Sequence, residues 1–193
     1  MKKSLLTFTI TLLLAFPFLA KAQPQELSET DIANFKIRVK EKVEAFQNHI
    51  SIVADKEEAM AKKNLAINAA LKLFLATATM EVSSFSAGKE NKREMPMKEY
   101  FNRLKNLPFR TVKISSQDIC YVSNIQPTPE GGKYLATVTI YQIFEGCYAE
   151  KNCYKDITKK EIDVTIELKV DDFGEKRWVI MLGNVRVTET RKL

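Results

Sequence analysis

The chain has 193 residues, with 30 Lys and Arg against 24 Asp and Glu, a formal net charge of +6, 45% hydrophobic residues, three cysteines and one histidine. That length suits one domain with a sizeable core. A lone histidine far from the cysteines argues against a zinc site, and no basic run interleaved with aromatics points to nucleic acid.

Met1-Lys2-Lys3 is positively charged, Leu5 to Phe16 carries no charge, and Ala20-Lys21-Ala22 sets small residues at cleavage-site spacing. This is the pattern of a secretory signal peptide. An uncleaved anchor needs about 20 apolar residues, and Pro17 and Lys21 stop the run too early. Residues 1–22 are therefore read as a signal peptide removed after Ala22. The protein is then exported, to the periplasm or outer surface of a bacterium, with no stable membrane insertion after cleavage. Loss of Lys2, Lys3 and Lys21 takes the net charge from +6 to +3. No cysteine near the cleavage point offers itself for lipid modification.

Residues 23–30 form a polar lead-in, in which Ser28 and Asp31 have capping-box spacing and Thr30 is a rival cap. A single domain is expected over residues 31–193. Ile32, Phe35, Val39, Val43, Phe46, Ile50 and Val53 recur at three and four residues, the stripe of a long amphipathic helix. Asp55 with Glu58 signals a second helix start, and Met60, Ile67, Leu71 and Phe74 continue at helical spacing. His49 falls off the Phe46/Ile50 stripe and is read as a surface residue. Thr79 to Ser83 suits a short strand, and the charged run from Gly88 to Glu94 reads as a solvated loop. Pro96 opens a short third helix carrying Met97, Tyr100, Phe101, Leu104 and Leu107, which Pro108 ends.

From Phe109 the pattern changes to strands over 111–122, 133–144, 157–170 and 177–187. Ile162 to Val170 alternates apolar and polar without a break, so one face is buried, at roughly 1.5–3 kcal/mol per large apolar side chain before chain entropy. The leading helices are the layer available to cover it. Pro127-Thr128-Pro129-Glu130-Gly131-Gly132 and Asp171-Asp172-Phe173-Gly174-Glu175 supply turn chemistry, making successive strands antiparallel neighbours. Cys147 and Cys153 flank a short polar excursion between two strands, and export permits a disulfide there. Three free thiols, or a pairing of Cys120 with either, are the alternatives that sequence leaves open.

This element order, together with Met97-Lys98-Glu99-Tyr100-Phe101-Asn102-Arg103-Leu104 leading into the strands, resembles the NTF2-like superfamily over about residues 31–188. The resemblance implies an α+β cone, with two to three N-terminal helices packed on a curved antiparallel sheet that encloses a cavity. It also implies a range of roles, from small-molecule isomerases and dehydratases to cargo-binding modules and periplasmic parts of secretion machines. Enzymes of the group place a carboxylate base in the cone, often with His or Tyr partners. No motif here allows those roles to be carried over, so no catalytic residue, cofactor or metal is assigned.

Strand parity reaches the cavity by another route. If Ile162 to Val170 mark the inner face, Val112/Ile114, Ala136/Val138/Ile140 and Trp178/Ile180/Leu182 share it. Continuing each phase by two brings Asp118, Gln142 and Asn184 inside, where with Tyr100 and Trp178 they form a candidate ligand site. Core packing is the competing role for Tyr100 and Trp178. Ile119 with Tyr121, and Val185 with Val187, point instead to a phase change near Gln117 and a bulge at Gly183, which would return Asp118 or Asn184 to solvent.

The leading functional reading is an exported non-catalytic binding or assembly module, whose partner is an unknown small ligand or an envelope protein; a homodimer is compatible with it. One alternative is a small pocket enzyme, an isomerase, dehydratase or hydrolase, with Asp118 as base and Tyr100 or Tyr121 as donor. Another is a periplasmic subunit of a secretion apparatus.

Overall fold

The computed structural model describes residues 27–86, 88–150 and 152–193. The segment read as a signal peptide and the start of the lead-in lie outside the described residues. Three helices, α1 (Glu29–Ala54), α2 (Met60–Leu71) and α3 (Met97–Lys105), accompany seven strands. These are β1 (Thr79–Ser86), β2 (Lys89–Pro96), β3 (Thr111–Val122), β4 (Gln126–Pro127), β5 (Lys133–Ala149), β6 (Asn152–Val170) and β7 (Lys176–Lys192).

Ser28 caps α1. Its Oγ accepts from Asp31 N at 3.1 Å, and the Asp31 carboxylate accepts from Ser28 N at 3.1 Å. The helix therefore starts at Glu29 and takes in the last two residues of the lead-in. Phe35, Val39, Val43, Phe46, Ile50 and Val53 are all buried along its predicted stripe. The second helix starts later than its signal, because Asp55 Oδ1 accepts from Glu57 N at 2.9 Å and closes a turn instead. Phe74 lies beyond that helix and bridges to Leu182 of β7.

The sheet runs β2-β1-β7-β6-β5-β3, with β4 also paired to β5. It is mixed, not purely antiparallel: β1 meets β7 in parallel at Met80 and Val185. Ala136, Val138 and Ile140 of β5, Ile162, Val164 and Ile166 of β6 and Ile180 and Leu182 of β7 share the buried face, in one core with the stripe of α1. The match of a two-residue period to a helical stripe holds the two layers together.

Where the structure departs from the sequence reading, an edge or a bulge is the cause. The charged run from Gly88 to Glu94 is not a loop. It supplies the turn and most of β2, an edge strand paired with β1 from Thr79/Pro96 to Ser86/Lys89. Of β2 only Met95 is buried, so no apolar period marks it, and its charges suit an edge that must not pair further. The polar excursion around the cysteines is hairpin too, since β5 continues to Ala149 and β6 begins at Asn152.

On β3, Ser116 faces Gln142 and Cys120 faces Ile140, so two extra residues bulge opposite Tyr141. Two extra residues restore parity, and the expected phase change does not occur: Val122 is buried and Tyr121 exposed. On β7 a single extra residue does invert the phase. Leu182 pairs with Val164 and Val185 with Ile162, leaving Gly183 and Asn184 opposite Asp163. A Cβ on Gly183 would stand 3.0 Å from that of Asp163, which favours glycine at the bulge. A second bulge near Thr188 turns Thr190 inward.

Candidate functional site

The inner face of β6 changes character at Glu161. Ile162, Val164 and Ile166 lie in the apolar core, whereas Lys160, Thr158 and Asp156 continue the same face and are 5%, 5% and 3% exposed. Gln142 pairs with Thr158 across β5 and is also buried. These four polar side chains and Tyr154 line one part of a cavity of about 610 Å³. Phe85 and Met95 of the β1–β2 hairpin, Tyr100 and Leu104 of α3, and Phe109 and Phe144 contribute its apolar lining.

The aromatic wall is continuous. Phe109 packs against Phe144 at 5.6 Å and Tyr148 at 4.5 Å between ring centroids, and Phe144 against Tyr154 at 6.1 Å. Exposed cationic side chains of Lys92, Arg93 and Arg103 also line the cavity.

Burial dominates the electrostatics. It lowers the Lys160 ammonium from its usual 10.5 to about 8, against the raising pull of Asp156 and Glu81. Lys160 Nζ approaches Met80 Sδ at 3.8 Å, a weak contact. Asp156 is raised by burial, opposed by hydrogen bonds from Tyr154 and Thr158 and by the charge of Lys160. Tyr154 is pushed up to about 12 by burial and by its bond to Asp156. Beside this group, Glu81 Oε2 accepts from Val187 N and Lys92 Nζ donates to Val187 O, each at 2.7 Å. Side chains of the hairpin thus bond to the β7 backbone beyond the Met80/Val185 pair that joins β1 to β7.

Of the residues singled out from sequence, Gln142 and Tyr100 line the cavity. Burial pushes the Tyr100 phenol far above its ordinary value. Trp178 does not line it; the ring packs on Phe35 and Tyr134, each at 5.7 Å. It pairs with Leu168, toward the opposite end of β6 from Asp156. Asn184 is exposed because the Gly183 bulge inverts β7, and its Oδ1 accepts from Thr79 N at 3.1 Å. The backbone of Asp118 lies in the β3 bulge, while its side chain lies outside the described ones.

His49 is half-buried, not a free surface group; its Nδ1 is enclosed without a hydrogen-bond partner among the described residues, and burial lowers its pKa. Cys147 and Cys153 form a disulfide, with Cα atoms 4.0 Å apart, and Cys120 is a partly buried free thiol. Among the described residues, no group of three or more His, Cys, Asp or Glu is placed to hold a metal, and no helix is long and apolar enough to cross a membrane.

Sequence parity missed Tyr154, Asp156, Thr158 and Lys160. The signal was present. Counting back by twos from Ile162 along β6 reaches all four, but their polarity hides the inward direction of the strand.

Three helices on one side of a mostly antiparallel open sheet, with a cavity between the hairpin, α3 and the far ends of β5 and β6, complete the picture. The architecture is α+β and consistent with an NTF2-like cone. No protein-family model matches the chain, and no curated protein matches it. Among solved structures it is similar to a type 2 hexachlorocyclohexane dehydrochlorinase, at 11% identity and a TM-score of 0.40 over 83% of this chain and 93% of that one. A protein from Kribbella flavida gives 12% identity and a TM-score of 0.39, over 81% and 95%. An NTF2-like protein of unknown function from Exiguobacterium sp. 255-15 gives 9% and 0.31, over 77% and 98%. These are likenesses of fold.

Proposed function

We propose that the chain is an exported, non-catalytic binding module of the periplasm or cell surface, which holds a small ligand in the cavity of its cone. The observation that carries this is the polar floor. An ionisable amine, a carboxyl, a hydroxyl and an amide are buried together at one cavity of about 610 Å³. That volume falls in the usual range of small-molecule sites. Burying such groups at a cavity wall is costly unless they are partnered, and a ligand is a natural partner for those the fold does not pair, Lys160 first. The N-terminal pattern and the disulfide support export.

The test is a titration of the purified mature chain with N-phenylnaphthylamine, a neutral apolar dye that brightens in dry pockets. Saturable binding at one equivalent is expected, and Thr158→Phe, which fills the floor, should remove it while far-UV circular dichroism stays unchanged. No saturable binding, or binding indifferent to Thr158→Phe, would exclude the cavity as the binding site.

One observation favours a small pocket enzyme as the second reading. Asp156 is a carboxyl inside the cavity whose pKa is raised by burial, the direction in which a general base is tuned. It moves the base from Asp118 to Asp156. Loss of turnover in Asp156→Asn with dye binding retained would distinguish this reading from the first.

A further inference from the structure

We infer that the ligand of the cone is a small aromatic monocarboxylate, seated with its carboxylate on Lys160 and its ring against the aromatic wall. This rests on the binding reading above and names its ligand class. The first observation is the charge of the lining: among the described residues, Lys92, Arg93, Arg103 and Lys160 stand against a single carboxylate, Asp156.

The second is that these charges are incompletely matched. Arg93 meets Glu99 at 3.3 Å, and Lys92 is bonded to a neutral carbonyl. Lys160 is 5% exposed, and among the described residues its ammonium donates only to the Met80 thioether. Among the described residues no carboxylate lies within 4.0 Å of its Nζ. Asp156 is engaged by the Tyr154 hydroxyl at 2.6 Å.

The Lys160 ammonium feels the charges of Asp156 and Glu81 but is ion-paired with neither, and at neutral pH it stays protonated on the cavity floor. Gln142 adds an amide on the same floor, a donor that suits a carboxylate oxygen. The third observation is the wall, where the contiguous rings of Tyr148, Phe109, Phe144 and Tyr154 present faces and edges to a flat guest. A charge-assisted contact in a place that excludes water discriminates strongly against a neutral isostere, because the isostere leaves the ammonium unpartnered.

The experiment compares naphthoate with its neutral amide by calorimetry at neutral pH, on wild type, Lys160→Met and Lys160→Gln. Naphthoate should bind wild type at least tenfold more tightly than the amide, and both variants should lose that preference while far-UV circular dichroism stays unchanged. Equal affinities in wild type, or a preference surviving either substitution, would overturn the inference and leave the binding reading standing. Failure of wild type to bind naphthoate, the amide and the dye alike would overturn both. The wild-type comparison decides even where a variant fails to fold.

Discussion

The hydroxyl of Tyr154 donates to Asp156 Oδ2 at 2.6 Å and accepts from the backbone amide of Phe85 at 3.0 Å. One phenol thereby ties the β1–β2 hairpin to the floor of the cavity. Tyr154→Phe keeps the ring against Phe144 but strands a half-buried amide and removes a partner from a buried carboxyl. Leaving such groups unpaired costs about 1–3 kcal/mol. Urea denaturation should show a loss of that size, and hydrogen exchange at the Phe85 amide should accelerate. Unchanged exchange there would mean that the hairpin is held by other contacts.

Lys160 makes stability depend on alkaline pH. Its folded value near 8 lies below the ordinary 10.5, so at pH values between them the unfolded chain binds more protons and stability rises with pH. Below about 8 the folded state carries the full cost of a buried ammonium. The interval is worth up to about 3 kcal/mol, at about 1.4 kcal/mol per unit. Tyr154, pushed up to about 12, acts oppositely at the top of the range, because the unfolded phenol ionises first. Urea midpoints should therefore climb from about pH 8 toward about pH 10 in wild type. Lys160→Met should start higher at neutral pH and stay flat; parallel curves for the two proteins would show that the amine is solvated in the folded state.

The helices and the central strands were legible because burial wrote their period into the chain. Phe35 to Val53 carries one stripe and Ile162 to Val170 one alternation, and both are the faces that meet. The site was legible only in part. Gln142 followed from the phase of β5, but Asn184 fell on the wrong side of a one-residue bulge, and parity arguments fail at the first extra residue. The β3 bulge taught the converse: two extra residues left the phase of Val112 and Val122 intact. The polar floor escaped notice because Tyr154 to Lys160 face inward without being apolar, as residues lining a cavity can. β2 escaped for the opposite reason, being exposed on nearly all its length.

Gly146 and Phe109 provide a packing test on the aromatic wall. A Cβ at Gly146 would lie 2.8 Å from a ring carbon of Phe109, closer than side-chain contacts allow. Gly146→Ala must push that ring away from Phe144 and Tyr148, and overpacking of this kind costs about 1–3 kcal/mol. In a Phe109→Ala background most of the penalty should vanish, since the clashing atoms are gone. A double-mutant cycle in urea measures the coupling directly. Additive losses would place the strain of Gly146→Ala in the β5 backbone.

Cys147 and Cys153 face one another as a register pair of β5 and β6, and the bridge joins residues six apart in sequence. By restricting the unfolded chain, a loop that short stabilises the fold by about 2–3 kcal/mol. Reduction, or the double substitution Cys147→Ala and Cys153→Ala, should lower the urea midpoint by the equivalent amount. Cys120→Ser should leave the response to reductant unchanged, because Cys120 is not in the bridge. The register shift between Cys147 and Ala149 places Tyr148 at a bulge, with its ring on Phe109 at 4.5 Å. Reduction should therefore also weaken uptake of N-phenylnaphthylamine, a readout that global stability alone does not move in dilute buffer. A reduced protein matching the oxidised one in both measurements would mean that strand pairing holds this end of the hairpin without the bridge.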